Sequence, residues 1–191
     1  MKAALRLPMR FDAAALAREA DGLADTWQAH FNTGTYSGEW SGIALRSTAG
    51  AQRLDPDFFS NAPIADTAVL ERTPAIRAAL ASFEAPITSA RLLRLAPGAH
   101  IREHRDYDLG LDVGEVRLHV VVRTNAHVRF SLDGQPVPMR AGECWYLDVS
   151  KPHAVTNGGS TERIHLVLDV RLDARLQEML AAATNDAEHG G

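Results

Sequence analysis

From Thr88 onward, short apolar-rich runs recur between turn residues: SARLLRLAPG, VRLHVVVRT, HVRFSLDGQPVPM, ECWYLDV, HAVTNGG and RIHLVLDV. No other feature narrows the fold as much. The regular punctuation of these runs by Gly, Pro, Asn and Asp argues for an antiparallel β-sandwich or barrel. Leu132-Asp133-Gly134-Gln135 supplies a hairpin turn inside the series. In EVRLHVVVRT the period of two places Val116, Leu118, Val120 and Val122 on one face and Arg117, His119, Val121 and Arg123 on the other. One face needs a core, and the other is either wet or lines a polar cavity.

The first third has a different texture. FDAAALAREADGLADTWQAHF is rich in Ala and Leu, with Asp12 placed to cap it and Gly22 to interrupt it, which predicts one or two helices between about Asp12 and Phe31. IALRS reads as a strand between glycine-bearing loops, and Thr73-Pro74 opens a further helix as N-cap and first helical residue. ARLQEMLAAAT predicts a closing helix. The reading is one domain over residues 1–183, with its chemical core at about 88–170 and a flexible tail at 184–191.

Composition removes several function classes. The net charge is -4 and no long basic run is present, so the electrostatic footprint of a nucleic-acid binder is missing. No window reaches the ~18 apolar residues of a membrane span, and MKAALRLPMR lacks the apolar core of a secretory signal. Cys144 is the only cysteine, which excludes an internal disulfide and a thiolate-rich zinc site. These observations predict a cytoplasmic protein without nucleic-acid or membrane partners. Cys144 itself reads as a buried inert thiol.

Chemistry concentrates at APGAHIREHRDYDLG. On an extended segment residues two apart point the same way, so His104 and Asp106 can offer a nitrogen and an oxygen to one point. SKPHAVTNGG supplies His153 after a proline turn at the start of another predicted strand. Two histidines and a carboxylate are the facial set of non-haem Fe(II) oxygenases, which leaves coordination positions open. Arg163 follows ten residues later, where the next antiparallel strand runs back past the metal. Its guanidinium fork suits the far carboxylate of 2-oxoglutarate. Trp27, Trp40 and Trp145 read as packing residues. His30, His100, His127 and His165 read as structural, although His165 shares strand parity with Arg163.

In order, spacing and strand context, WSGIALRS, RLLRLAPGAHIREHRDYD, GEVRLHVVVRT, GECWYLDVSKPHAVTNGG and RIHLVLDV together resemble the aspartyl/asparaginyl β-hydroxylase family of 2-oxoglutarate-dependent oxygenases. That family includes bacterial cis-proline hydroxylases. The resemblance implies a mainly β fold, a double-stranded β-helix or jelly roll of cupin type, with N-terminal helices packed on one sheet and a short C-terminal helix. It further implies that His104, Asp106 and His153 hold Fe(II), that Arg163 grips the distal carboxylate of 2-oxoglutarate, and that Arg117 and His119 match an Arg-x-His whose members contact the cosubstrate. Dioxygen would be the second cosubstrate. Some animal members hold iron with histidines alone, whereas Asp106 fits the bacterial three-ligand pattern. The cis-proline hydroxylases carry a further helical region after the barrel, and this chain is expected to lack it. The implied activity is hydroxylation of an unactivated C–H bond in an amino acid, an amino-acid derivative or a peptide side chain, with release of succinate and CO2. The competing reading is a non-catalytic jelly roll that binds a metal and a small carboxylate.

Overall fold

Strand periodicity sorts the side chains of this chain into two cores. The computed structural model describes residues 2–55 and 60–189, with side chains described as far as 185. In chain order the elements are β1 (Ala4–Arg10), α1 (Ala13–Asp21), β2 (Gln28–Ala29), β3 (Tyr36–Ser37), β4 (Trp40–Thr48), β5 (Ile64–Asp66), α2 (Pro74–Ala81), β6 (Ile87–Leu95) and β7 (His100–His104). They continue with β8 (Glu115–Arg123), β9 (Val128–Leu132), β10 (Gln135–Pro136), β11 (Glu143–Leu147), β12 (His153–Asn157), β13 (Arg163–Arg171) and α3 (Ala174–His189).

The larger sheet runs β1-β11-β8-β13-β6-β4-β2, with β5 also paired to β4, and the smaller runs β10-β9-β12-β7-β3. Neighbours are antiparallel throughout. On β8, Val116, Leu118, Val120 and Val122 enter the core that the larger sheet shares with the helices, together with Ile164, Leu166, Leu168 and Val170 of β13. The opposite face of the same strands meets the smaller sheet over a second core that includes Leu95, Ile101, Phe130, Leu132, Val155 and Val167. Full burial of a Leu or Ile side chain is worth about 1.5–3 kcal/mol, so this alternation specifies which face of β8 and β13 is turned toward the smaller sheet. Two antiparallel sheets face to face, helices on the outer side of one, make the jelly roll that the sequence resemblance implied.

Local chemistry explains the ends of the elements. Asp12 caps α1 by accepting a hydrogen bond from the Ala15 N–H at 3.0 Å. The Asp133-Gly134 turn between β9 and β10 takes positive φ at both residues, 50° and 71°, the geometry that a two-residue hairpin of matching twist requires. Thr73 precedes α2 as expected, but its hydroxyl donates to the Val69 carbonyl. Glu19 of α1 replaces it, accepting from the Ala75 and Ile76 N–H groups at 2.7 and 2.8 Å.

Three differences from the sequence reading stand out. Of the one or two helices expected between about Asp12 and Phe31, α1 ends at Asp21 and only a 3-10 turn at Ala24–Thr26 follows, after which Gln28–Ala29 pair with β4. β1 was not expected from MKAALRLPMR. Its Leu5 and Leu7 are buried, and Pro8 is tolerated because β1 is an edge strand bonded to β11 alone. Finally, α3 continues through His189, past residue 183 where a flexible tail was expected to begin. Among the described residues, no helix is long and apolar enough to cross a membrane.

Candidate metal and anion site

β7 and β12 pair directly, and their register places His153 opposite His104. The two rings lie 4.2 Å apart between centroids. Each imidazole bonds through Nδ1 to the carbonyl two residues before it, Arg102 O at 2.8 Å for His104 and Lys151 O at 3.1 Å for His153. A carbonyl can only accept, so both Nδ1 atoms carry the proton, and it is Nε2 of each ring that is left to serve as a ligand atom. Burial holds His153 below the usual histidine range, against the raising effect of the Lys151 carbonyl, so it is neutral as a ligand must be.

Asp106 lies just beyond the end of β7. Its N–H donates to Val149 O at 2.9 Å, which ties this loop to the segment between β11 and β12. Oδ1 of Asp106 stands 3.7 Å from Nε2 of His104, while Oδ2 accepts from Nη1 of Arg117. Ligand atoms of His104, Asp106 and His153 all fall within 4.8 Å of one another. Two imidazole nitrogens and one oriented carboxylate are a donor set suited to a divalent first-row metal.

Arg163 opens β13 and is 2% exposed. Its Nη2 donates to Nδ1 of His165 at 2.9 Å, its Nε has no partner, and its guanidinium lies 5.8 Å from the Phe130 ring centroid. Burial pushes this group down to about 9, with no carboxylate to oppose the shift. A guanidinium keeps its proton even so, and an unpaired buried charge costs several kcal/mol. Such a group is suited to pairing with an anion. His119 and His165 approach each other through Nδ1 at 3.1 Å, and both are held well below the usual range, first by burial and then by Arg163.

Arg117 meets two carboxylates. Beyond Asp106, it donates from Nε to Asp169 Oδ1 at 2.7 Å and from Nη2 to Asp169 Oδ2 at 3.1 Å. Burial opposes its charge, but Asp169 and Asp106 outweigh burial and raise its pKa. Three of its five N–H groups are thereby used, and one remains on each terminal nitrogen.

His104, Asp106, His153, Arg163, Arg117 and His119 all line one cavity of about 830 Å³, within the ~300–1,000 Å³ typical of small-molecule sites. The lining also includes Arg91, Asp169 and Phe130, which the sequence reading did not single out, and His30 and Trp40, which it read as structural and packing residues. Parity could have found Asp169, which lies an even number of residues after Arg163 on β13. Trp40 packs in the inter-sheet core and stacks on His30 at 3.5 Å, so it is both packing residue and cavity wall. Trp27 lies under the Arg94 guanidinium, and Trp145 donates to Glu143, as packing residues do. His100 is bonded to Thr156 between β7 and β12. Cys144 is buried and its thiol is pushed up to about 12 by burial, consistent with an inert side chain.

A double-stranded β-helix with a His-x-Asp…His set on its inner face defines a cupin-like fold carrying a candidate facial metal site. The chain belongs to the aspartyl/asparaginyl beta-hydroxylase family, whose sequence profile matches residues 9–172. It is 31% identical over 172 residues to the L-proline cis-4-hydroxylase of Rhizobium meliloti (strain 1021), covering 87% of this chain and 60% of that one. It is 26% identical over 152 residues to L-proline cis-3-hydroxylase 1 of a Streptomyces species, covering 77% and 52%. The chain thus spans about half to three-fifths of the length of these curated relatives. Among solved structures it is similar to a 2OG-Fe(II) oxygenase family oxidoreductase from Burkholderia pseudomallei, with TM-score 0.58, 16% identity and coverage of 88% and 85%. It is also similar to a Pseudomonas putida prolyl-4-hydroxylase, with TM-score 0.55, 18% identity and coverage of 90% and 94%. These two likenesses establish the fold.

Proposed function

We propose that the protein is an Fe(II)- and 2-oxoglutarate-dependent dioxygenase that hydroxylates an unactivated C–H bond of an amino acid, an amino-acid derivative or a peptide side chain. One observation carries the reading: the buried Arg163, lacking a carboxylate of its own, opens on the same cavity as His104, Asp106 and His153. A metal set beside an unpaired guanidinium fits a chelating acid whose far end is a carboxylate, and 2-oxoglutarate has that shape. When bound, Fe(II) with 2-oxoglutarate and dioxygen supplies the oxidation, one oxygen atom entering the substrate as hydroxyl and the other entering succinate as CO2 is lost.

The chain's own residues bind and orient. His104 and His153 present Nε2 because backbone carbonyls hold their Nδ1 protons. Asp106 adds the one negative ligand. Arg163 receives the distal carboxylate, and the fork of two N–H groups on one plane fixes its direction. Arg117, with N–H capacity left, and His119, with an unpartnered Nε2, face the remaining part of the cosubstrate. Phe130 stacks parallel to His153, 6.3 Å between ring centroids, and keeps that side of the site apolar. The proline hydroxylases among the relatives make free L-proline and related amino acids the first substrates to test. A cytoplasmic setting, where Cys144 stays reduced, completes the proposal.

The test is a screen of free amino acids, N-acylated amino acids and short peptides for succinate formed in step with a hydroxylated product. Anaerobic addition of Fe(II) and 2-oxoglutarate should first give a weak visible charge-transfer band. A protein that binds both yet forms no substrate-dependent succinate with any compound would be a carboxylate-binding jelly roll instead. One that gives no band and consumes no 2-oxoglutarate would remove the oxygenase reading altogether.

A further inference from the structure

We propose that Asp169 is a positioning residue for the metal site, acting through Arg117 to decide which oxygen of Asp106 is offered to the ion. The inference rests on His104, Asp106 and His153 binding a divalent cation. Asp106 lies past the end of β7, so no strand pairing fixes its carboxylate plane, and a free carboxylate can present either oxygen or both. Arg117 removes that freedom by occupying Oδ2, which leaves Oδ1 on the side of His104 Nε2.

Arg117 could not do this alone. Its side chain is long, and holding it in one rotamer costs conformational entropy. Asp169 faces Arg117 directly in the register of β13 against β8, and it takes Nε and Nη2 together, a two-point grip that fixes the guanidinium plane. Asp169 is itself held from the other flank, where Arg91 of β6 donates from Nη2 to Oδ2 at 2.5 Å. Both arginines and Asp169 are buried or nearly so, with side-chain exposures of 13%, 16% and 10% for Arg91, Arg117 and Asp169. The chain of contacts therefore runs across three neighbouring strands, from Arg91 to Asp169 to Arg117, and ends on the one carboxylate of the metal set. β13 thus carries Arg163 at its start and this grip near its end.

The experiment titrates Ni(II), which imidazole-rich sites hold tightly, into metal-free protein by calorimetry, with Co(II) visible spectra reporting coordination. Asp169→Asn keeps the shape of the side chain and removes its charge. It should weaken Ni(II) binding by about ten- to a hundredfold, the usual effect of losing a group that orients a metal ligand, and alter the Co(II) spectrum. In the Asp106→Ala background the same substitution should change Ni(II) affinity by less than about twofold, because the coupling between two groups disappears when one is gone. Unchanged affinity in folded Asp169→Asn, or an equal loss in both backgrounds, would overturn the inference. Arg117→Lys, which keeps the charge and loses the fork, provides the same reading if Asp169→Asn does not fold: it should weaken Ni(II) comparably, and wild-type affinity would overturn the proposal. Wild-type protein that binds no Ni(II), or binds it no better than Asp106→Ala, would instead sink the metal-site reading on which the inference rests.

Discussion

Arg163 carries a positive charge into a place where the fold gives it one neutral histidine and an aromatic ring. The ligand-free protein is destabilised by that arrangement, and this leads to a prediction with two opposite signs. Even a buried ion pair replaced by apolar side chains of similar volume is often neutral or stabilising by about 1–4 kcal/mol, and an unpaired charge has no partner to offset its burial. Arg163→Met should therefore raise the melting temperature of the ligand-free protein while abolishing the further rise that 2-oxoglutarate gives the wild type in the presence of Mn(II). Losing one partner of a buried charge pair costs about 2–5 kcal/mol, or roughly thirtyfold to a few thousandfold in affinity. Arg163→Lys should recover only part of the loss, since a point charge replaces a planar fork. Melting curves with and without 2-oxoglutarate decide it. A variant that is less stable alone and still stabilised by the acid would place the anion elsewhere.

At the scale of elements, the order of strands was readable because each run beyond Thr88 ends on its own turn signal. Spacing two apart paired His104 with Asp106, while His153 and Arg163 came from a proline turn, a ten-residue interval and the family resemblance; all four line one cavity. What stayed hidden depends on contacts distant in sequence. Arg91 and Asp169 read as ordinary charged residues, and only the adjacency of β6, β13 and β8 makes them partners. β1 went unread, although its Pro8 argues only against a central strand and not against an edge. Glu19 caps a helix by accepting from Ala75, 56 residues later, beyond the reach of any local signature. This last contact gives a prediction of its own. Glu19→Ala leaves two N–H groups of α2 without their acceptor and should lower stability by about 1 kcal/mol, within the usual range for losing a cap. Denaturant titration would measure it, and metal affinity should be unchanged. A loss of Ni(II) binding in the folded variant would mean that the helices do more than support the larger sheet.

The whole molecule keeps four histidines neutral inside the fold. His30 is held down at about 3, first by burial and then by Arg91, and His119, His153 and His165 are also lowered mainly by burial. Each has a folded pKa below its unfolded value near 6.5. Between those two values the unfolded chain binds more protons, so stability is fully present above about pH 6.5 and is lost as pH falls toward the folded pKa. Each such histidine contributes a slope of up to about 1.4 kcal/mol per pH unit. Metal-free protein should therefore lose stability steeply between pH 6.5 and 4.5, and His30→Gln should flatten the slope by about one proton's worth. Urea titrations across that range check this, and a flat profile would mean that these rings are hydrated rather than buried.

The placement of β13 has a kinetic consequence. Its amides are bonded on both flanks of the nine-residue strand, to β6 and to β8, whereas β7 and β12, flanked outside by the two-residue β3 and by β9, are only five residues long and pair with each other across an irregularity beside His153. Local opening should therefore release the two metal histidines while Arg163 and Asp169 are still held. In deuterium exchange, the amides of Leu166–Val170 should be replaced only through global unfolding, and those of β7 and β12 much sooner. Adding Ni(II) should slow exchange in β7 and β12 and leave β13 unchanged. On this account the anion anchor is permanent and the metal half is assembled by the metal it binds. Equal exchange rates in the two strand sets of the metal-free protein would show instead that the whole site is rigid before anything enters it.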